Sequence, residues 1–257
     1  MLNKFKQFIL RAIIPLIRSR YLSKSRLLKK YKDPSNLTYC WKIFDKNIYM
    51  RLNNRGFIEK EILYNKNYSK NINFHLLQKF LPGSIYLDIG ANIGTTALPI
   101  AFHNPDSEVH AFEPNPNIFE ILKINKIQNN CSNIFLYNMA AGSKKERLPF
   151  FVSQQEEANH GLSSLSKNSD ILKAKSIEVD VIKVDDFFEN LKKKISLIKI
   201  DVQGLEWDVI QGSKNIINKY KPTIIFEHDD QYFNEPNKTK HELENFFIEN
   251  KYDVFEI

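Results

Sequence analysis

Three acidic residues stand at or near the ends of apolar stretches that are typical of buried β-strands: Asp88, Glu113 and Asp201. A carboxylate can bind an amine or the hydroxyls of a ribose, and it can accept a proton from a reacting hydroxyl group. If the three strands are parallel, their carboxyl ends share one edge of a sheet, where such sheets bind their ligands. The spacing therefore predicts that the three carboxylates converge on one crevice.

A glycine-containing loop follows the first of these strands, in the order Gly90-Ala91-Asn92-Ile93-Gly94. Gly90 and Gly94 allow the backbone to approach a ligand and the next helix to approach the strand, while Asp88 and Asn92 can bind an amine, a carboxylate or water. The loop lacks the G-x-G-x-x-G spacing of dinucleotide-binding proteins. This difference argues against a dehydrogenase and favours a cofactor without a pyrophosphate.

Glu113 lies nineteen positions after Gly94, within Phe112-Glu113-Pro114-Asn115-Pro116. An acid at the end of the second strand is placed to bind both ribose hydroxyls of a nucleoside. Pro116 is expected to open the next helix, because the backbone donor that proline lacks is not needed at the first helical position. The combination of this acid with the glycine loop is more specific than either feature alone and predicts a nucleoside-type cofactor site.

Three residues are candidates for accepting a proton: Asp201, His160 and His228. Asp201 is favoured by its place at the sheet edge, whereas His160 lies in a polar loop, where a simply solvated side chain is the alternative. His228 follows the fifth strand, beside Asp229 and Asp230. The acids there could hold a divalent cation together with Asp201, or they could form a polar strand end that lines the pocket; we predict the latter and no metal site.

An alternation of strands and helices must position these residues. Strands are predicted at 85–89, 109–113, 134–138, 197–201, 223–227 and 252–257, and helices near 94–103, 116–129, 205–219 and 238–250. This alternation predicts an α/β fold, with a mostly parallel sheet covered by helices on both faces. The interval 140–184 interrupts it with strand-like stretches at 148–152 and 177–184, and such an insertion is typical of a substrate region or an extra hairpin.

Two segments precede the main domain, which is expected to span 85–257. Residues 37–84 are predicted to form a small hairpin, from strands at 39–44 and 48–52 with turn residues at 53–56, and a helix over 74–81, all packed on the core. Residues 1–36 are predicted to form a basic amphipathic helix and a linker.

The amphipathic helix has two interpretations. Its longest uncharged apolar run, 12–17, is far shorter than the roughly 20 residues that a membrane span needs. Residues 1–30 are therefore expected to lie on an anionic membrane surface, or to dock on the core of this protein or of a second copy.

The formal net charge of +7 is unevenly distributed along the chain. Residues 1–32 contain ten Lys or Arg and no acid, and the remainder contains 27 bases and 30 acids. The body of the protein is therefore not basic, which argues against a nucleic-acid substrate. The two cysteines, Cys40 and Cys131, exclude a disulfide framework and favour a cytoplasmic location, with the inner face of the membrane as an alternative set by the N-terminal helix.

With these motifs in order, the chain resembles the FkbM-type methyltransferases from about residue 48 to its C-terminus. The matching landmarks are Asp88-Ile89-Gly90-Ala91-Asn92-Ile93-Gly94, Phe112-Glu113-Pro114-Asn115-Pro116, Ala140, Gly161-Leu162-Ser163-Ser164-Leu165 and Lys199-Ile200-Asp201-Val202-Gln203-Gly204-Leu205-Glu206. The resemblance implies a Rossmann-like class I methyltransferase sheet that binds S-adenosyl-L-methionine. It places Asp88 and Gly90 at the methionine part, Glu113 at the ribose and the stretch from Asn138 to Ala140 near the adenine, with Asn92, Gly94, Pro114 and Asp201 in the same site.

The resemblance also implies an activity, since this family mostly methylates hydroxyl groups of natural products and glycans. We expect a glycan or other small-molecule acceptor; a non-catalytic cofactor-binding or scaffold protein and, less favoured, a nucleic-acid methyltransferase are the alternatives. Two features depart from the family pattern. Gln203 stands where Glu is usual. The sheet of this family normally finishes with an antiparallel hairpin, whereas this sequence ends near the strand expected at 252–257; either the last strand is absent or the natural chain is longer.

Overall fold

The computed structural model describes residues 37–52, 58–59, 61–62, 68–153, 174–202, 205–227 and 240–255. The predicted amphipathic helix and linker over 1–36 and the predicted turn residues 53–56 lie outside these ranges. The strands within them are β1 (Leu37–Ile43), β2 (Lys46–Leu52), β3 (Ile85–Ile89), β4 (Glu108–Phe112), β5 (Ile134–Tyr137), β6 (Ala140–Gly142), β7 (Glu146–Ser153), β8 (Ala174–Lys183), β9 (Ile195–Ile200) and β10 (Thr223–Phe226).

Five of these strands form a parallel central sheet, in the order β10-β9-β3-β4-β5. Of the three inner strands, β3 and β9 are buried at every position, which explains their nearly continuous runs of apolar residues. The order of the strands reverses between β3 and β9, because the chain extends the sheet first on one side of β3 and later on the other. The predicted α/β class and the first five predicted strands of the alternation are confirmed.

Helices cover both faces of the central sheet and enclose two hydrophobic cores. They are α1 (Lys70–Lys79), α2 (Ala97–His103), α3 (Pro116–Gln128), α4 (Val184–Phe187), α5 (Glu206–Gly212), α6 (Lys214–Tyr220) and α7 (Lys240–Glu249). One core lies between the sheet, the N-terminal hairpin and α2 and α3, and the other lies between the opposite face and α5, α6 and α7. No helix of the described ranges has the length and apolar character needed to cross a membrane.

The predicted N-terminal hairpin is present, formed by β1 and β2 around a turn at Phe44 and Asp45. Two asparagines of the α3 region attach its outer edge to the main sheet domain. Asn129 accepts a hydrogen bond from the Tyr49 amide (2.8 Å) and donates one to the Tyr49 carbonyl (2.7 Å), while Asn125 accepts one from the Arg51 amide (2.6 Å). Both asparagines are buried, so these bonds replace water at the hairpin edge.

The interval 140–184 folds largely as expected from its strand-like stretches. β6, β8 and β7 form a separate three-stranded sheet, in which β6 runs parallel to β8 and β7 runs antiparallel to it. Ala140, Phe150, Val179 and Val181 form its small core. Residues 154–173, which include the predicted polar loop, lie outside the described residues.

Two predicted elements differ from the structure. The helix expected over 205–219 is divided into α5 and α6 at Ser213, whose hydroxyl donates to the Val209 carbonyl (2.7 Å). The start of α6 is held there by the buried Asp185 carboxylate, which accepts the amides of Asn215 (3.0 Å) and Ile216 (2.9 Å). The strand predicted at 252–257 is wrong in its described part, because residues 252–255 pair with no strand among the described residues and most of them are exposed.

We expect that Asn129→Ala lowers the free energy of unfolding by about 1–3 kcal/mol, because both backbone groups of Tyr49 lose their partner. Urea denaturation monitored by circular dichroism measures this change. Asn117→Ala, which truncates an exposed asparagine at the other end of the same helix, is the matched control and should change stability by less than about 0.5 kcal/mol. Equal effects of the two substitutions would contradict the role given to Asn129.

Candidate functional site

Five residues stand in one row across the carboxyl edge of the central sheet: Asn138, Glu113, Gly90, Asp201 and Glu227. Each follows the last residue of its strand, and the last residues of neighbouring strands are register partners. The row crosses the point between β3 and β9 where the strand order reverses, which is where open α/β sheets bind ligands. The predicted convergence of side chains at this edge is therefore present.

The loop after β3 lies directly against the neighbouring strand ends. The amides of Gly90 (3.0 Å) and Ala91 (2.9 Å) both donate to the Phe112 carbonyl. Gly90 has φ = 82°, and a Cβ atom at this position would lie 1.9 Å from the Asp201 carbonyl oxygen. No side chain fits in that space, so glycine is required at position 90 by both conformation and packing.

Glu113 is buried and accepts two backbone hydrogen bonds. Its Oε2 accepts the amide of Asn92 (2.9 Å), and its Oε1 accepts the amide of Asn115 (2.8 Å). Burial raises the pKa of Glu113 to about 7, although the two donors oppose the rise. A carboxylate has about four lone-pair sites, so each oxygen can still accept a hydroxyl of a ligand from the crevice.

Asp88 is fully buried beneath the loop. Its Oδ2 accepts a hydrogen bond from the Thr96 hydroxyl (2.6 Å), and its Oδ1 lies 3.4 Å from the Lys199 ammonium. Burial raises the pKa of Asp88, while Lys199 and Thr96 favour the ionised form. Asp88 and Lys199 are register partners on β3 and β9, which places the two side chains together on the same face of the sheet.

The Lys199 ammonium joins three parts of the site. Besides Asp88, it contacts Asp201 Oδ2 (3.1 Å) and donates a hydrogen bond to the Gly90 carbonyl (3.0 Å). Burial alone would lower the pKa of Lys199, but the nearby carboxylates of Asp201 and Asp88 hold it above its ordinary value. Lys199 therefore stays charged at neutral pH and fixes the loop relative to Asp201.

Glu227 stands beside Asp201 at the end of the adjacent strand, and its amide donates to the Ile200 carbonyl (3.1 Å). It is exposed to the crevice, unlike Glu113. Partial burial, the negative charge of Asp201 and a hydrogen bond with that residue raise the pKa of Glu227 to about 7. Tyr68 interacts electrostatically with Asp201, Lys199 and Glu227. Burial and the negative charge of Asp201 raise the pKa of Tyr68 to about 12.

A cavity of about 1300 Å³ opens in front of this row of residues. The predicted site residues that line it are Gly90, Asn92, Glu113, Pro114, Ala140 and Asp201. The other three support the wall from behind. Asp88 is buried beneath the loop, and Gly94 leaves space for the Leu122 side chain. The side-chain amide of Asn138 donates hydrogen bonds to the backbone carbonyls of Glu113 (2.8 Å) and Pro114 (3.1 Å).

Two predicted proton acceptors, His160 and His228, lie outside the described residues, and so do Asp229 and Asp230. Within the part of the chain that is described, no cluster of three or more His, Cys, Asp or Glu side chains could hold a metal ion. The positive charge beside the Asp88 and Asp201 carboxylates is that of the Lys199 ammonium.

Comparison with known proteins identifies this type of site. Residues 88–254 match the methyltransferase FkbM domain, so the match begins at Asp88 and includes every residue of the row. The chain belongs to the FkbM methyltransferase family. Members of this family are, in general, dependent on S-adenosylmethionine, and the sheet described above is the Rossmann-like class I methyltransferase sheet.

Two curated relatives of this FkbM protein carry methyltransferase names. Methyltransferase 1 of Beauveria bassiana is 29% identical over 171 residues, and the alignment covers 61% of this chain and 66% of the relative. The 2-O-methyltransferase NoeI of Sinorhizobium fredii is 28% identical over 171 residues, with 61% of this chain and 67% of the relative covered. The matched part thus spans about two thirds of the length of these relatives.

Solved structures of methyltransferases are similar at a lower level. A methyltransferase FkbM from Methylobacillus flagellatus KT has a TM-score of 0.41 and 17% identity, covering 65% of this chain and 43% of that chain. The precorrin-6y C5,15-methyltransferase of Geobacter metallireducens has a TM-score of 0.43 and 12% identity, covering 72% of each chain.

Sequence reasoning missed the roles of Lys199, Glu227, Thr96 and Tyr68. The role of Lys199 could have been predicted, because the one charged residue of a strand that is otherwise mostly apolar must be buried and paired with an opposite charge. Glu227 ends its strand as Asp201 does, so the same rule would have placed it at the sheet edge. Thr96 and Tyr68 are brought to the site by tertiary packing and have no comparable signal.

We expect that Lys199→Met lowers the free energy of unfolding at pH 7 by about 3–5 kcal/mol, because it leaves the buried Asp88 carboxylate, and the partly exposed Asp201 carboxylate beside it, without their cation. The raised pKa of Lys199 means that its stabilising effect is fully present at neutral pH and is lost only in strong alkali. The deficit of the variant should shrink as the pH falls, because burial raises the pKa of Asp88 and a protonated carboxyl group does not need the cation. Denaturant titrations at several pH values measure it.

The exposed Lys192, in the loop before β9, offers a matched control, and Lys192→Met should change stability by less than about 0.5 kcal/mol. A Lys199→Met protein as stable as the control would mean that the buried ion pairs contribute nothing.

Proposed function

We propose that this protein transfers a methyl group from S-adenosyl-L-methionine to a hydroxyl of a glycan or another small natural product. The observation that carries the proposal is the shared opening of Gly90, Glu113 and Asp201 into one cavity of about 1300 Å³. Pockets for drug-sized ligands have volumes of about 300–1,000 Å³, so this cavity is large enough for a cofactor together with an acceptor.

The residues present fit the cofactor that the family implies. Glu113 offers two fixed carboxylate oxygens to ribose hydroxyls, and the missing Cβ of Gly90 lets the loop lie against the Asp201 backbone at the wall of the cavity. Met139, Ala140 and Pro114 form an apolar wall at one end of the cavity that suits an adenine ring. The carboxylates at the sheet edge suit the positive charge of a sulfonium and an ammonium group.

When bound, S-adenosylmethionine supplies a methyl group attached to a positively charged sulfur. The residues of the row would hold the reacting groups in position, and such positioning can contribute about 7–11 kcal/mol to catalysis. A hydroxyl acceptor must also lose its proton. A carboxylate that lines the cavity would accept it, and Asp201 is the favoured one of three candidates, ahead of His160 and His228.

Two observations support a hydroxyl acceptor of small size. One of the two relatives described above is named as a 2-O-methyltransferase. In addition, the chain after residue 32 has more acids than bases, whereas a nucleic-acid substrate needs a basic surface.

Calorimetric titration tests the cofactor part of this proposal. S-adenosylmethionine and its demethylated product should both bind the wild-type protein, and Glu113→Ala should weaken binding about 100-fold or more, because two hydrogen bonds to a buried charge are lost. Since Glu113 has a pKa of about 7, affinity should rise between pH 6 and pH 8 as the carboxylate ionises. Glu120→Ala, an exposed acid on α3, is the matched control and should bind as the wild type does.

Binding by neither ligand would overturn the enzyme proposal and favour a scaffold protein. The acceptor is tested separately, by transfer of radiolabelled methyl groups to a panel of methyl glycosides. Cofactor binding without transfer to any glycoside would exclude the glycan part of the proposal for those sugars.

A further inference from the structure

Two carboxylates, Asp201 and Glu227, line the cavity at the ends of neighbouring strands, and their environments differ. Asp201 lies 3.1 Å from the Lys199 ammonium, which is itself fixed by Asp88 and the Gly90 carbonyl. Glu227 stands one strand further out and is exposed to the crevice. We propose that Glu227 is the general base of the reaction and that Asp201, held by Lys199, remains an anion that orients the acceptor.

The strand register brings the two carboxylates together. Ile200 and Phe226 are the last register pair of β9 and β10, and Asp201 and Glu227 follow them directly. The hydrogen bond from the Glu227 amide to the Ile200 carbonyl continues the parallel ladder to this point. Side chains at such neighbouring positions lie on the same face of a sheet, so the two carboxylates compete for one proton.

The surroundings decide which carboxylate takes that proton. The described charged or titratable groups that act on Glu227 are Asp201, Lys199, Glu206 and Tyr68. The cation is in contact with Asp201, so Asp201 is stabilised as an anion and repels a second negative charge on Glu227. Partial burial and, after it, the negative charge of Asp201 raise the pKa of Glu227 to about 7, which is the value that suits a general base at neutral pH.

The proposed step rests on the methyl transfer to a hydroxyl proposed above. The acceptor oxygen forms a bond to the methyl carbon while the carbon–sulfur bond breaks, and the sulfur keeps the electron pair. The hydroxyl proton moves to a carboxylate oxygen of Glu227. Because Glu227 is exposed, it returns this proton to water before the next cycle, and one proton is released for each methyl group transferred.

A titration without any acceptor tests the carboxyl pair. Carbon-13 NMR of protein labelled at the glutamate carboxyl carbons should show two carboxyls titrating near pH 7, Glu113 and Glu227, and Glu227→Gln should remove one of them. Asp201→Asn should move the Glu227 titration down toward the ordinary glutamate value, because a like charge is removed. Glu249→Gln, at an exposed position of α7, is the control and should change neither titration. An unchanged Glu227 titration in Asp201→Asn would overturn the pairing.

Kinetics then separate the two carboxylates. With radiolabelled S-adenosylmethionine kept saturating at every pH, so that the ionisation of Glu113 does not affect the rate, and the methyl glycoside that accepts methyl groups best, the wild-type rate at subsaturating glycoside should rise with pH through about 7. Glu227→Gln should lower the rate about 100-fold or more and abolish this rise, while calorimetric cofactor affinity changes less than about threefold. Asp201→Asn should keep the rise but shift it to lower pH. If Asp201→Asn abolishes the rise and Glu227→Gln keeps it, Asp201 is the base and the assignment is wrong.

These results remain distinct from a failure of the proposed function. Loss of cofactor binding in the wild type contradicts the methyltransferase proposal itself, whereas intact binding with an unpaired Glu227 contradicts only the assignment of the base.

Discussion

The contact of one buried ammonium with two carboxylates holds the site together. Lys199 lies inside a strand that is otherwise apolar, and an unpaired charge there would be strongly destabilising. Its partners come from two segments far apart in sequence, Asp88 and Gly90 at the end of β3 and Asp201 just after β9. The contacts of Lys199 with Asp88 and the Gly90 carbonyl depend on the register of β3 and β9, so they link correct strand pairing to the geometry of the crevice.

The strand register also explains why so few residues are needed to build the site. Parallel strands that end together bring one residue from each strand to a common edge, in this protein a row from Asn138 to Glu227. Each position of the row then differs by environment. Glu113 is buried and bonded to backbone amides, Asp201 is paired with a cation, and Glu227 is exposed beside a like charge. Three carboxylates at one edge therefore have three different chemical properties.

The central strands and the loop after β3 could be predicted from the sequence, because strands buried on both faces are apolar at most positions and the glycines mark the turn. Ser213, in contrast, divides a helix that the apolar pattern runs through, since a hydroxyl bond and the distant Asp185 carboxylate decide where α6 begins. The apolar and polar residues from 252 onward alternate as in a strand, yet a strand is stable only when it pairs with a neighbouring strand. The pairing of Asp201 with Glu227 could not be predicted, because it depends on the adjacency of β9 and β10 in the folded sheet.

The asparagine attachment of the hairpin has a consequence for the behaviour of the protein in a crowded solution. The backbone groups of Tyr49 and Arg51 that Asn129 and Asn125 occupy point away from β1, and they are the groups through which another chain could add a strand. The asparagine side chains therefore form the hydrogen bonds that an additional strand would otherwise form with this edge. They prevent another chain from pairing with the hairpin there and so oppose aggregation.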